Sequence, residues 1–157
     1  MPKITPFLWF DTEAEEAARY YTAIFPNSKI TEITHYGEGG PRPKGMVMTV
    51  VFELDGKPFV ALNGGPQYSF TNAVSLLVDC ADQKEIDYYW EKLTAGGKEI
   101  ACGWLSDKYG LPWQIAPKDF GRFFPKDNPA KANAAMQAMM GMVKIDLAAM
   151  QKAFDEA

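Results

Sequence analysis

KITPFLWFDTEAEEAARYYTAIFPN, residues 3–27, and AVSLLVDCADQKEIDYYWEKLTAGG, residues 73–97, decide how this chain folds. In the first stretch, residues 3–10 alternate and are rich in aromatic and β-branched types, the pattern of a strand. Thr12 followed by Glu15 reads as a capping box that opens a helix. Ala14, Ala17, Ala18, Tyr21 and Phe25 then mark one helical face, and Pro26-Asn27 stops it. The second stretch repeats the order. Residues 73–79 form an apolar strand, and Asp82 with Glu85 opens a helix. The core face of that helix is Ile86, Tyr89, Trp90 and Leu93, and Gly96-Gly97 ends it. Laying Asp11 on Asp79 places Tyr20-Tyr21 on Tyr88-Tyr89. Strand, helix and strands in series, repeated once, are what an internal duplication leaves.

Working outward, residues 28–36 read as a strand, followed by a Gly- and Pro-rich loop from Gly37 to Gly45 expected to be exposed and mobile. Segments 46–54 and 58–63 are two strands joined at Asp55-Gly56, a strong hairpin signal. Gly64-Gly65-Pro66 breaks the pattern. In the second half, shorter strands are expected near 99–106 and 111–116, around a turn at Tyr109-Gly110. From Pro129 the chain reads as helix, with Met136, Met139, Met140 and Val143 on one face, more fitting for packing than for a cofactor. A last helix starts at Asp146, with Ile145 and Met150 placed for a hydrophobic staple. The expected architecture is an α+β fold of two βαβββ modules, about 3–63 and 73–117. A helical segment over 118–157 follows, and the whole of 1–157 forms a single domain.

With 157 residues, 47% of them apolar, the chain can build a full core in one domain. A formal net charge of −4 with scattered Lys and Arg argues against nucleic acid as a partner. No run approaches the roughly 18 apolar residues of a membrane span. The opening MPKITPFLWF has no signal-peptide character, so a cytoplasmic location is expected, with Cys80 and Cys102 reduced.

ITPFLWFDTEAEEAARYYTAIFPNSKI (4–30), VALNGGPQYSF (60–70), CGWLSDKYGLPWQIAP (102–117) and MVKIDLAAM (142–150) carry a resemblance. The chain resembles PhnB-like proteins, often labelled 3-demethylubiquinone-9 3-methyltransferase. These form a branch of the vicinal oxygen chelate, or glyoxalase/bleomycin-resistance/dioxygenase, superfamily. The resemblance implies paired βαβββ modules forming a curved mixed sheet, a homodimer, and a concave site inside each sheet. It also implies, for the enzymes of the superfamily, a divalent metal held by His, Glu or Gln from the first and last strands of each half. Carried onto this chain, the last-strand slots fall on Gln114, four residues after Gly110, and near Ala61. The first-strand slots fall near Thr5 or Pro6 and near Ala73. One amide is not a ligand set. The single histidine, His35, has no His or Glu at ligand spacing. Both strand-to-helix turns, Phe10-Asp11-Thr12 and Asp79-Cys80-Ala81-Asp82, lack the glycine that a nucleotide-type cofactor site uses. No metal and no cofactor is therefore expected.

Alternation along strands nominates the ligand-binding residues. Phe7 and Trp9 share a face of the first strand, with Ser75 and Leu77 as their expected counterparts. Ala61 shares a face with Asn63, Trp104 stands beside Cys102, and Gln114 is the polar residue of the last strand. If these faces point inward, Phe7, Trp9, Asn63, Ser75, Trp104 and Gln114 line an aromatic pocket with neutral hydrogen-bonding groups, suited to a small, partly apolar ligand. Each has a plainer role available: core packing for Phe7 and Trp9, a turn for Asn63, a buried hydrophobe for Cys102. No Ser-His-Asp or Cys-His arrangement can be assembled, so catalytic residues stay unassigned. Three readings stay open. One is a metal-independent small-molecule-binding protein. The second is an enzyme of the same fold, a metal-dependent lyase or dioxygenase or else a methyltransferase. The third is a dimeric interaction module with a vestigial pocket.

Overall fold

The repeated pattern is realised as two sheets of the same topology. The computed structural model describes residues 3–157, and the chain divides into two compact units, Met1–Phe70 and Thr71–Ala157.

In the first unit, β1 (Phe7–Phe10) leads into α1 (Ala14–Ile24), then β2 (Lys29–His35), β3 (Val47–Leu54) and β4 (Lys57–Asn63). The sheet order is β1-β4-β3-β2, with β1 parallel to β4 and the other pairs antiparallel. Ala14, Ala17, Ala18 and Tyr21 are buried along one side of α1, as the spacing predicts, but the last place on that side is taken by Ile24, while Phe25 is the half-buried C-cap. Small alanines let the helix approach the sheet, and Tyr21 stacks on Phe52 of β3. The β3–β4 turn has Asp55 and Gly56 both at positive φ, 49° and 78°, the tight hairpin geometry that Asp-Gly favours. β2 is an edge strand of alternating polar residues, with His35 exposed at its end.

Three expectations change here. The first strand starts only at Phe7, because its pairing with β4 begins at Phe7↔Val60. Thr12 does not cap α1; Glu13 occupies the cap position without a side-chain bond, and Glu15 instead pairs with Arg19 at 2.6 Å. The Gly37–Gly45 loop is exposed but tied down. Arg42 donates to the Asp11 backbone carbonyl and meets the Asp11 carboxylate at 3.1 Å.

In the second unit, β5 (Leu76–Cys80), α2 (Gln83–Thr94), β6 (Lys98–Glu99), β7 (Trp104–Ser106) and β8 (Pro112–Pro117) build a sheet of order β5-β8-β7-β6. Asp82 caps α2 through a 3.0 Å bond from the Glu85 N–H, and the Glu85 side chain accepts from the Ala81 N–H at 2.8 Å. This is the Asp82–Glu85 pairing read from the sequence, with Glu85 reaching one residue further back than the N-cap itself. Ile86, Tyr89, Trp90 and Leu93 are the buried residues of the helix. The stretch expected as one strand near 99–106 is two. Cys102 and Gly103 take left-handed φ values of 56° and 85°, which break the ladder between β6 and β7.

A short 3-10 turn (Phe120–Phe123), α3 (Pro129–Met140) and α4 (Leu147–Asp155) complete this unit. Asn128 and Asp146 cap the two helices. Ile145 and Met150, the staple pair, are both fully buried. The methionine face is not a core face: Met136, Met140 and Val143 are exposed, and Ala135 is the buried residue of α3.

Candidate ligand-binding faces

α1 and α2 each cover one face of their own sheet, leaving the other face open. Register identifies the open faces. In the first unit Trp9 pairs with Leu62, which pairs with Thr49, which pairs with Thr34. The neighbouring row is Phe7, Val60, Val51 and Glu32. Directly paired residues share a face, so these eight side chains form one surface. Phe7 is 59% exposed there. Trp9 is half-buried because the chain after β4 wraps over it. Its indole Nε1 donates to the Gly65 carbonyl at 2.8 Å, and the Tyr68 ring meets it edge-on at 4.9 Å. Gly64 has to be glycine, since a Cβ there would lie 2.4 Å from the indole.

Asn63 is not on this surface. It pairs with Phe10, so its side chain lies on the α1 side and is 2% exposed. Its Oδ1 accepts from the Ala14 N–H at 2.8 Å, capping α1 from 49 residues away, and its Nδ2 donates to the Val47 carbonyl at 3.0 Å. Its own backbone carbonyl accepts from the buried Tyr36 hydroxyl at 2.6 Å. This fixes α1, β3 and the β2–β3 loop to one point. The side chain is used up structurally and drops out of the ligand-binding set.

In the second unit the open face carries the row Leu77–Gln114–Trp104. Gln114 is half-buried, and its Nε2 donates to Ser75 Oγ at 2.9 Å. Among the described residues its Oε1 receives no protein hydrogen bond. Because Ser75 accepts from the amide, its hydroxyl proton points elsewhere. The pair thus presents one acceptor and one donor beside the Trp104 ring. Ser75, Trp104 and Gln114 are brought together as expected. Cys102 is not beside Trp104 on a strand but in the left-handed turn before it.

The matching of the two modules shifts. Phe10 and Cys80 are the last residues of β1 and β5, so Phe7 answers to Leu77 and Trp9 to Asp79, rather than to Ser75 and Leu77. Phe7 pairs with Val60 where Leu77 pairs with Gln114, which makes Val60 the counterpart of Gln114. Ala61, the expected counterpart, is fully buried on the helix side. Tyr21 and Tyr89 are both buried in their own helices.

Asp107, a carboxylate whose place at a strand end and turn makes a solvated or capping role the expectation, is buried and holds the turn. It is 3% exposed, and its carboxylate accepts from the Tyr109 and Leu111 N–H groups and from Trp113 Nε1 at 2.9–3.0 Å. It closes the β7–β8 turn and lies apart from the open face. The nearest signal was its place three residues before Gly110. Cys80 is fully buried, and burial first, then Glu85, Asp79 and Asp82, push its thiol up to about 12. Such a thiol is not a nucleophile at neutral pH.

The residues do not fit a metal centre. Among the described residues no three His, Cys, Asp or Glu side chains gather. Val60 has no donor atom, and Gln114 offers one amide oxygen. Nor do they fit a nucleotide-type methyl donor such as S-adenosylmethionine at the strand-to-helix turns. Those turns lack glycine, and the N–H groups of Ala14, Ala81 and Glu85 are already bonded to side chains. Among the described residues no helix is long and apolar enough to cross a membrane.

Two βαβββ units with these sheet orders define a protein of the vicinal oxygen chelate superfamily. The model of the 3-demethylubiquinone-9 3-methyltransferase family matches residues 2–116, and the chain belongs to that family, the PhnB-like branch. A solved structure described as a putative 3-demethylubiquinone-9 3-methyltransferase, PhnB protein, from Bacillus cereus is 38% identical, with a TM-score of 0.67 over 73% of this chain and 98% of its own. A Pseudomonas aeruginosa protein shares the fold at 17% identity and TM-score 0.62, over 76% of this chain and all of its own. So does a genomically encoded fosfomycin resistance protein from Listeria monocytogenes, at 15% identity and TM-score 0.50, over 74% of this chain and 93% of its own. No curated protein matches.

Proposed function

We propose that the protein is a metal-independent small-molecule-binding protein, its ligand held on the open sheet face of the second module by Ser75, Trp104 and Gln114, with Phe7 and Trp9 offering an aromatic ligand surface on the open face of the first. The observation that carries this is the Gln114–Ser75 bond at 2.9 Å beside Trp104. An amide fixed by one partner, with its oxygen unspent next to an aromatic ring, suits an uncharged ligand that offers a donor and an acceptor side by side. The modules at about 3–63 and 73–117 and the segment 118–157 work as one domain, as a homodimer in the cytoplasm. Exposed Phe7 and Leu77 at matching positions, 59% and 57%, support the dimer, since soluble proteins tend to cover such residues.

The test is native mass spectrometry on protein purified from its own host, which should retain a small molecule and no stoichiometric metal. Gln114→Leu keeps the volume and should fold, while affinity for that molecule falls about five- to two-hundredfold. A folded variant with unchanged affinity would remove Gln114 from the site. Retention of a divalent metal through dialysis would favour the metalloenzyme reading instead.

A further inference from the structure

Half of the chain's eight methionines, Met136, Met139, Met140 and Met142, fall at the end of α3 and just beyond it. Met139 and Met140 follow Met136 by three and four positions, so both neighbour it on one side of the helix, with Cβ atoms about 5–6 Å away. That side is not the packed one. Ala135 is the buried residue of α3, whereas Met136 and Met140 are 40% and 64% exposed and Met139 is half-buried. Met142 is engaged elsewhere: its sulfur accepts from the Asp146 N–H at 3.4 Å, at the start of α4. A second observation concerns charge. The last turn of α3 has no Lys or Arg, and Lys144 beyond it is held by Asp87 at 2.6 Å. The negative end of the helix dipole, beside Met139 and Met140, is therefore not answered by a side-chain cation.

The donor set decides which cation suits the place. Thioethers are neutral, soft and polarizable, poor ligands for magnesium, calcium or manganese and good ones for copper(I). Three rotatable bonds let each methionine turn its sulfur toward an ion seated over Met136. We propose that Met136, Met139 and Met140 form a site for a soft monovalent cation, copper(I), on the exposed side of α3. None of these residues belongs to the open sheet face, so the site is independent of the ligand proposed above. With no thiolate in the set the ion is labile and is lost on dialysis, which leaves purified protein free of metal.

The test titrates copper(I), kept reduced with ascorbate in the absence of oxygen, against a chromophoric chelator. The full chain carries Cys102→Ser, which removes the half-exposed thiol as a rival ligand, while Cys80 is buried. This chain should take copper(I) from the chelator. Adding Met136→Leu, Met139→Leu and Met140→Leu keeps volume and helix propensity, so the melting curve should be unchanged. Affinity for copper(I) should fall at least about a hundredfold. Methyl carbon-13 spectra of the wild type give a readout that needs no variant. Silver(I), a redox-inert substitute for copper(I), should shift the methyl signals of Met136, Met139 and Met140 and leave that of the fully buried Met150 in place. A Cys102→Ser chain that takes no copper(I), a folded leucine variant that takes it equally well, or silver shifts spread alike over all the methionines would overturn the proposal.

Discussion

The two modules start their helices by opposite means. In the second, Asp82 caps α2 from the adjoining residue, with Glu85 reaching back to the Ala81 N–H. In the first, the Ala14 N–H is met by Asn63, which arrives from the far end of β4. A local cap stabilises a helix whatever the rest of the chain does. A distant one forms only when the sheet has already closed, so α1, β4 and β3 stand or fall together. The same topology is thus assembled with different cooperativity, and the comparison can be pressed by mutation.

The largest effect is expected at Asp107, the hub of the second module. Asp107→Ala would strand two backbone N–H groups and the Trp113 indole N–H in a buried turn, costing about 4 kcal/mol. Urea unfolding should show it. A loss under about 1 kcal/mol would mean water replaces the carboxylate and the turn is not held by it.

Asn63→Ala comes next, at about 3 kcal/mol, because a buried cap and a bond to β3 disappear at once. Asn63→Asp preserves the acceptor for Ala14 but turns the Nδ2 donor into an oxygen facing the Val47 carbonyl. It should therefore cost nearly as much as alanine. If aspartate restored wild-type stability, Asn63 would be a simple cap and the coupling drawn above would be wrong. Asp82→Ala should cost only about 1 kcal/mol, the usual worth of an exposed cap. Amide exchange should confine that loss to α2, whereas Asn63→Ala should raise exchange throughout the first unit.

The same contrast explains what could be read in advance. Helix faces, the Asp82-Glu85 box, the Asp55-Gly56 turn and the Ile145–Met150 staple are set by neighbours within a few residues, and all were legible. Asn63 as a cap was not, because nothing near Ala14 in sequence announces a partner 49 residues away. Thr12 looked the better candidate on spacing alone. The Gln114–Ser75 bond spans 39 residues, whereas Val60 as the counterpart of Gln114 follows from a count, since it stands four residues after Gly56 as Gln114 stands four after Gly110, and the register agrees. One residue of slip in a strand changes face, so a slot placed near Ala61, one residue past the count from the turn glycine, falls on the helix side of the sheet. The residues of the proposed site were legible as residue types; that Asn63 does not share their surface was a matter of pairing.

The smallest expected effect separates the modules by pH. β1 ends on Phe10 and β5 on Cys80, both buried in equivalent places, but only the thiol can ionise. Burial and the nearby carboxylates of Glu85, Asp79 and Asp82 raise it from 9.0 to about 12. A group whose folded pKa lies above its unfolded value leaves stability intact below the unfolded value. The stability is then lost as pH rises, here from about 9 toward 12, because the unfolded chain gives up a proton that the folded chain keeps. The useful quantity is the difference between wild type and Cys80→Ala, which isolates this one thiol. That difference should be flat from neutral pH to about 9 and then shift steadily against the wild type. Alkylation offers a second view: iodoacetamide at mildly alkaline pH should modify the partly exposed Cys102 well before Cys80. A difference that stays flat through pH 11, with Cys80 labelled as fast as Cys102, would show that the thiolate is solvated in the native state. The end of β5 would then be opening in a way that the end of β1, closed by a phenyl ring, does not.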